Sequence, residues 1–254
     1  MKKLFLSIAL SGLSASGFAL DILSAHPIAT GIASHLLAEP IAAQSVKLHS
    51  AVPNNLPATR QLNYLQGRGK EALTELSQAS EIVLTVRSIF AQDYLYPFSR
   101  RHNIRIIPID LATPIDGERA GVSKIEQEFL QHPVWFDPYN LSLMYSNLAR
   151  EISSFEPNLK LEAALEQAQK SLISLRNDME QFLSNLEQEP VALLLSPELA
   201  YFTQGLQISS VAASADADLA TLIQAQGINL AISDSEPETA LQEQLSAQGV
   251  KLLI

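Results

Sequence analysis

The feature that most constrains this chain is a switch of hydrophobic period that occurs twice. Between residues 21 and 110, short strand-like segments (21–25, a weaker one at 46–49, 81–86 and 104–109) alternate with helical stretches (27–38, 71–79 and 92–101). The same alternation returns after residue 190, with strand-like segments at 191–195, 206–211, 229–232 and 250–254 and helical stretches at 197–202, 216–226 and 238–248. Strand–helix alternation of this kind predicts mostly parallel sheets with helices on both faces. Between the two blocks, Leu161, Leu165, Ala168, Leu172, Leu175, Met179, Phe182 and Leu186 form one stripe at spacings of three and four. That stripe predicts a helix of about 28 residues, roughly 42 Å long at 1.5 Å per residue. A shorter helix over 140–155 starts behind Asp137-Pro138, a helix-start signal. The expected fold is α/β: two lobes with parallel-type sheets flanked by helices, joined by one long backbone helix, with a ligand cleft between them. Residues 53–69, rich in Pro, Asn, Gly and Arg, read as a long loop.

The first residues bear on compartment. Lys2 and Lys3 precede an apolar run from Leu4 to Leu13, and Gly17-Phe18-Ala19 offers a small-x-small cleavage site. This reads as a secretory signal peptide over 1–19, too short to span a bilayer, which needs about 20 apolar residues. No Cys follows it, so no lipid anchor is expected, and the expected location is periplasmic. The absence of cysteine also excludes disulfides, thiolate metal sites and cysteine nucleophiles. Losing Lys2 and Lys3 with the signal takes the formal charge from −10 to −12, and residues 131–254 carry sixteen acidic and five basic side chains. A nucleic-acid partner, which needs clustered positive charge, is excluded on this ground.

Three segments carry a resemblance. Val134-Trp135-Phe136-Asp137-Pro138 before a helix resembles the HVWLDP segment of zinc/manganese-type ABC-transporter periplasmic solute-binding proteins (cluster A-I). Ala200-Tyr201-Phe202 with Gly205-Leu206 behind it resembles that family's HDAFGYF…YGL segment, and Gln78-Ala79-Ser80-Glu81-Ile82-Val83 its SADLVV segment. The stretches Leu56 to Gln61, Tyr64 to Gly69, Arg87 and Arg101 to Asp110 resemble a divergent branch lacking most of the usual His ligands. The resemblance implies an N-terminal α/β lobe over 20–130, a helical region with the linking helix over 131–189, and a C-terminal α/β lobe over 190–254. It implies a divalent metal in the cleft, zinc or manganese, with zinc as the expected cofactor. The expected partner is an ABC membrane permease, and the expected state is a monomer. The family holds metal with three His and one carboxylate. Here the three His positions fall near Tyr64, on Pro133 (with His132 adjacent) and on Ser196, while the carboxylate falls on or next to Asp234.

A zinc site takes neutral imidazoles and carboxylates, usually four groups. The candidates at strand ends are His26, His132 and Asp234. His26 ends the first strand immediately before Pro27, so it is expected to point into the cleft. His35 reads as a packing residue, and His49 and His102 as surface residues. A different chemistry is anion capture. Arg60, Arg68 and Arg87 lie in or beside the 53–69 segment, and their guanidinium forks match carboxylates and phosphates. Gly67 and Gly69 precede a helix and are expected to let an anion approach the backbone. Tyr64, Trp135 and Tyr201 add aromatic ligand surface. Ser196, between a strand and a helix, completes the ligand-binding set. It lacks the GxSxG glycines of a nucleophile elbow, and Pro197 follows it, so no enzyme is expected. The functional expectation is therefore a periplasmic binding protein delivering a divalent metal or a metal–chelate to an importer. The alternatives are a degenerate, non-transporting family member acting as a metal-handling partner protein, or a binder of a small anionic organic ligand through Arg60, Arg68 and Arg87.

Overall fold

The computed structural model describes residues 19–114, 120–124, 133–213 and 218–254. The first sheet consists of β1 (Leu20–Ser24), β2 (Val46–Ser50), β3 (Ile82–Thr85) and β4 (Ile107–Asp110) in the order β2-β1-β3-β4, all parallel. The second repeats that topology with β5 (Val191–Leu194), β6 (Ser209–Ala212), β7 (Leu230–Ile232) and β8 (Lys251–Leu253) in the order β6-β5-β7-β8. Both sheets are buried on two sides, so neighbouring strand residues serve opposite cores. Ile22, Ile82, Leu84 and Ile109 pack beneath α1 (Pro27–Leu36), α6 (Pro138–Phe155) and the start of α7 (Glu162–Ser184). Leu23 and Val83 face the other way, onto α3 (Ala58–Gln66), α4 (Lys70–Ala79) and α5 (Leu95–Ser99). The second sheet divides likewise: Ala192, Leu194, Leu230 and Ile232 pack with α8 (Ala200–Gly205) and the end of α7, while Leu193 and Ala231 pack with α9 (Leu219–Gln226) and α10 (Thr239–Ala247). A short α2 (Ala38–Ala42) follows α1. The α/β fold class, with two parallel sheets flanked by helices, is as the alternating pattern predicts.

The long helix α7 runs 23 residues. Leu161, Ala164, Leu165 and Ala168 join the first core, Phe182 and Leu183 join the second, and between them Ile173 and Leu175 stand 59% and 47% exposed. A helix that bridges two cores is apolar at its ends and needs no buried face in the span between them. None of the described helices is long and apolar enough to cross a membrane. Residues 1–18, which contain most of the expected signal peptide, lie outside the described residues.

Several expectations are corrected. The segment expected as a loop over 53–69 contains α3, which buries Gln61 and Leu65 one turn apart. Its Pro and Gly residues are helix punctuation: Pro53 and Pro57 stand before the helix, Gly67 and Gly69 after it. The Gln61 amide donates to Ala25 O at 2.8 Å and so fixes α3 against the end of β1. The strand expected at 206–211 begins at Ser209, because α8 runs to Gly205 and Gln207 turns the chain at φ 57°. The strand expected from residue 104 starts at Ile107, since Ile104, 77% exposed, sits in a turn held by Asn103. Helix α5 is shorter than the expected 92–101, because Asp93 turns back to accept from Leu95 N, Thr85 Oγ1 and Val86 N.

Candidate functional site

In a sheet ordered β2-β1-β3-β4, the chain leaves β1 towards one edge and returns through β3 towards the other. A crevice opens where the direction reverses, at the carboxyl ends of β1 and β3. His26 follows β1 there and Phe90 follows β3. The His26 ring lies 5.3 Å from the Phe90 ring and 5.4 Å from that of Trp135, edge to face with the latter. Trp135 arrives on the 3-10 turn Val134–Phe136, held by the Asn140 amide donating to Val134 O. These side chains, with Pro133, Ala58 and Thr59, line an open cavity of 560 Å³. His26 is 5% exposed, and its Nδ1 is buried with no hydrogen-bond partner. Burial pulls the imidazole pKa below its ordinary value, opposed by the Asp93 charge, so His26 is neutral at pH 7. Nδ1 is closed to the cavity, so a ligand there would meet this neutral imidazole, a competent metal ligand, only through its other nitrogen.

The second sheet has the same switch point, between β5 and β7. Ser196 follows β5 and Asp234 follows β7, and the Ser196 hydroxyl donates to Asp234 Oδ1 at 2.6 Å. Ser235 Oγ adds a second bond at 3.1 Å. The Ser196 bond, then that of Ser235, holds the Asp234 carboxyl below the usual carboxylate range, so this exposed group is ionised. Among the described residues no three His, Cys, Asp or Glu gather as a metal cluster. The two lobes meet through α8: Tyr201 enters the first core, and Gly205 lies against Asp137, which caps α6 by accepting from Tyr139 N at 2.8 Å. A second hollow of 410 Å³, lined by Leu186, Asn229 and Gly249, sits at the amino ends of β5, β7 and β8, away from both switch points.

The architecture matches known structures across 92% of the chain. One is a ZnuA deletion mutant with zinc bound, at TM-score 0.60 and 18% identity over 90% of that chain. Another is the metal-dependent lipoprotein YcdH from Bacillus subtilis, at TM-score 0.64 and 10% identity over 86% of that chain. A third is the solute-binding protein FpvC from Pseudomonas aeruginosa in complex with Mn2+, at TM-score 0.59 and 13% identity over 87% of that chain. The chain has the fold of a zinc/manganese-type solute-binding protein. No family model matches the sequence, and no curated protein matches it. The resemblance carried by the Val134–Pro138, Ala200–Leu206 and Gln78–Val83 segments thus holds at the level of fold.

Within the solute-binding fold, the expected site residues fall into separate places. His26, Pro133 and Trp135 share the first switch point; Ser196 and Asp234 share the second. His132 lies outside the described residues. Tyr64 does not face that cavity: its ring fills the space that a Gly69 Cβ would take, 2.3 Å from Tyr64 Cε1, with the Arg68 guanidinium 6.0 Å from its centroid. Gly69 is therefore a packing glycine, which corrects its expected role in anion approach. Arg87 stacks over Tyr94 at 5.3 Å and donates to Asp93 O at 3.4 Å, and it lines a different cavity with Tyr94 and Arg101. Arg60 is exposed on α3. The three arginines thus lie in different surroundings, and no described cavity is lined by all three. Tyr201 is 1% exposed and belongs to the core, which corrects its expected role as ligand surface. His35 Nδ1 bonds Tyr145 Oη at 2.9 Å, and His49 Nε2 bonds Asp21 Oδ1 at 2.5 Å. Phe90 and Thr59 were not legible as site residues. Phe90 was hidden because it follows β3 by five residues, and Thr59 because its helix reads as loop.

Proposed function

We propose that this chain is an extracytoplasmic solute-binding protein of an ABC importer, with a divalent metal as cargo. In this reading residues 20–130 and 190–254 are the lobes, 131–189 is the linking region, and the monomer hands its cargo to a membrane permease. The observation that carries it is a matched pair of switch points. One has a neutral imidazole in its cavity wall, His26; the other presents a carboxylate held ionised, Asp234. Imidazole nitrogen and carboxylate oxygen are the ligand types zinc takes at about 2.0–2.2 Å, and a carboxylate also suits manganese. Two protein ligands fill half of a tetrahedral shell, and water or a chelator travelling with the metal supplies the remainder. That solved proteins of this fold carry zinc or Mn2+ supports the cargo class.

The test is thermal unfolding of the purified chain during titration with Zn2+ and with Mn2+. A ligand that binds only the folded state stabilises it by about 2.7 kcal/mol at a hundredfold excess over Kd. The melting temperature is expected to rise with one of the two ions and to lose that rise in a His26→Ala, Asp234→Ala double variant. A flat response to both ions, or an undiminished rise in the double variant, refutes the reading.

A further inference from the structure

We propose that a groove on the first lobe, between α3 and α5, binds a small organic anion with two acidic groups, held by the guanidinium edges of Arg87 and Arg101. The groove consists of two hollows that share Gln66, Phe98 and Arg101. One, of 370 Å³, is also lined by Arg87; the other, of 180 Å³, is also lined by Lys70 and His102. Neither shares a lining residue with the cavity beside His26, so the inference stands apart from the metal-cargo reading.

Charge is the first argument. The chain has a formal charge of −10, yet no Asp or Glu lines either hollow, while Arg87, Arg101 and Lys70 all do so from exposed positions. None of the three is paired with a carboxylate among the described residues. The acid nearest to Arg87 in sequence, Asp93, is buried and accepts from Thr85 Oγ1, Val86 N and Leu95 N. Geometry is the second argument. The Arg87 guanidinium lies 5.3 Å from the Tyr94 ring centroid and that of Arg101 lies 5.0 Å from the Phe98 ring, and the two rings stack on each other at 5.9 Å. Both cations therefore rest on one aromatic support, of which Phe98 is buried. A guanidinium whose face lies on a ring keeps its in-plane N–H edge for a carboxylate or phosphate, and the support fixes that edge before a ligand arrives. Density is the third argument. Cation–π pairs occur roughly once per 70–80 residues, whereas the pairs among the described residues, at Arg68, Arg87, Arg100 and Arg101, all fall within residues 64–101. The larger hollow is of small-molecule size, for which the range is roughly 300–1,000 Å³, and Leu62 and Pro97 give it an apolar wall for a short carbon chain joining the two acidic groups. Arg60 and Arg68 line neither hollow, so of the three arginines expected in anion capture only Arg87 takes part.

The experiment is calorimetric titration of the purified chain at low ionic strength with succinate, glutarate and adipate, with the monoacid valerate, with fructose 1,6-bisphosphate and with polyglutamate. One of the dicarboxylates is expected to bind saturably at one site per chain, about tenfold more tightly than valerate and more weakly as salt is added. Arg87→Gln and Arg101→Gln are each expected to weaken it roughly tenfold, as for a lost hydrogen bond between charged groups. Lysine at either position is expected to restore only part of the affinity, because it keeps the charge but not the fork. Arg150→Gln, an exposed change on α6, is expected to alter nothing. Far-UV circular dichroism checks that each variant is folded. Binding of the bisphosphate in place of the dicarboxylates, with the same losses in the glutamine variants, keeps the site and makes its acidic groups phosphates. Equal affinity for valerate and the dicarboxylates, or undiminished binding in both glutamine variants, overturns the proposal. Binding of polyglutamate with no small anion bound also overturns it and makes the groove a docking surface for an acidic polypeptide. No heat from any probe overturns it as well, and the arginines then serve only to stack.

Discussion

Gly205 closes the contact between the lobes, and replacing it with alanine gives a quantitative test of that joint. A Cβ at Gly205 would lie 2.6 Å from Asp137 Oδ1, 2.9 Å from its Cγ and 3.3 Å from its Cβ. The first two distances are impossible, so the carboxylate must leave. Asp137 is buried, and Oδ1 is the atom that accepts from Tyr139 N to cap α6. Losing an N-cap costs about 1 kcal/mol, and displacing a buried carboxylate from its donor adds about 1–3 kcal/mol. Against this, alanine favours helix over glycine by at most about 1 kcal/mol, and less at the last residue of a helix. Gly205→Ala is therefore expected to destabilise by about 1–3 kcal/mol, or roughly 2–12 °C in melting temperature for a chain of this size. In an Asp137→Ala background the cap is already gone and only the Cβ contact at 3.3 Å remains, which a shift of a few tenths of an ångström relieves. There Gly205→Ala is expected to be neutral or slightly stabilising. The assay is a double-mutant cycle by thermal denaturation followed by circular dichroism, with a coupling of at least about 1 kcal/mol expected between two contacting positions. Equal shifts in the two backgrounds would refute the reasoning.

Three further outcomes follow from the site. Because burial lowers the pKa of His26, the unfolded chain takes up its proton first as pH falls through about 6.5, so this contribution to stability is complete above that pH and declines below it. Urea unfolding at pH 7.5 and pH 5 is expected to show a larger loss for the native chain than for His26→Phe, and equal losses would contradict the burial argument. Ser196→His replaces the hydroxyl donor of Asp234 with an imidazole beside the carboxylate, and zinc is expected to raise the melting temperature further in this variant than in the native chain; no gain would place residue 196 away from the bound ion. Gly69→Ala forces a methyl to within 2.3 Å of Tyr64 Cε1. It is expected to cost about 1–3 kcal/mol by overpacking, with a stability unchanged within error counting against the packing role.

The fold is legible because the central strands β3, β5 and β7 are short and apolar on both sides, as a two-faced parallel sheet demands, and because the α7 stripe is apolar where it meets each core. The stripe alone did not reveal that Leu175 is left exposed, since periodicity records which residues share a face but not whether anything covers it. Helix α3 is hidden in the sequence for a local reason: its prolines and glycines resemble loop content, yet they mark its two ends. The two switch points were only partly legible. His26 and Asp234 stand immediately behind strands, so their position followed from strand assignment. The 2.6 Å bond between Ser196 and Asp234, the burial of Tyr201 and the Tyr64–Gly69 contact depend on which residues from distant segments meet, and sequence spacing does not encode that.

Whether a divalent metal binds between His26 and Asp234 is tested most directly by locating the ion. Crystals grown with Zn2+ and measured at the zinc absorption edge are expected to show an anomalous peak about 2.0–2.2 Å from a His26 ring nitrogen and from an Asp234 carboxylate oxygen. A peak bound only by other residues, or no peak at all in crystals saturated with zinc, would contradict that binding.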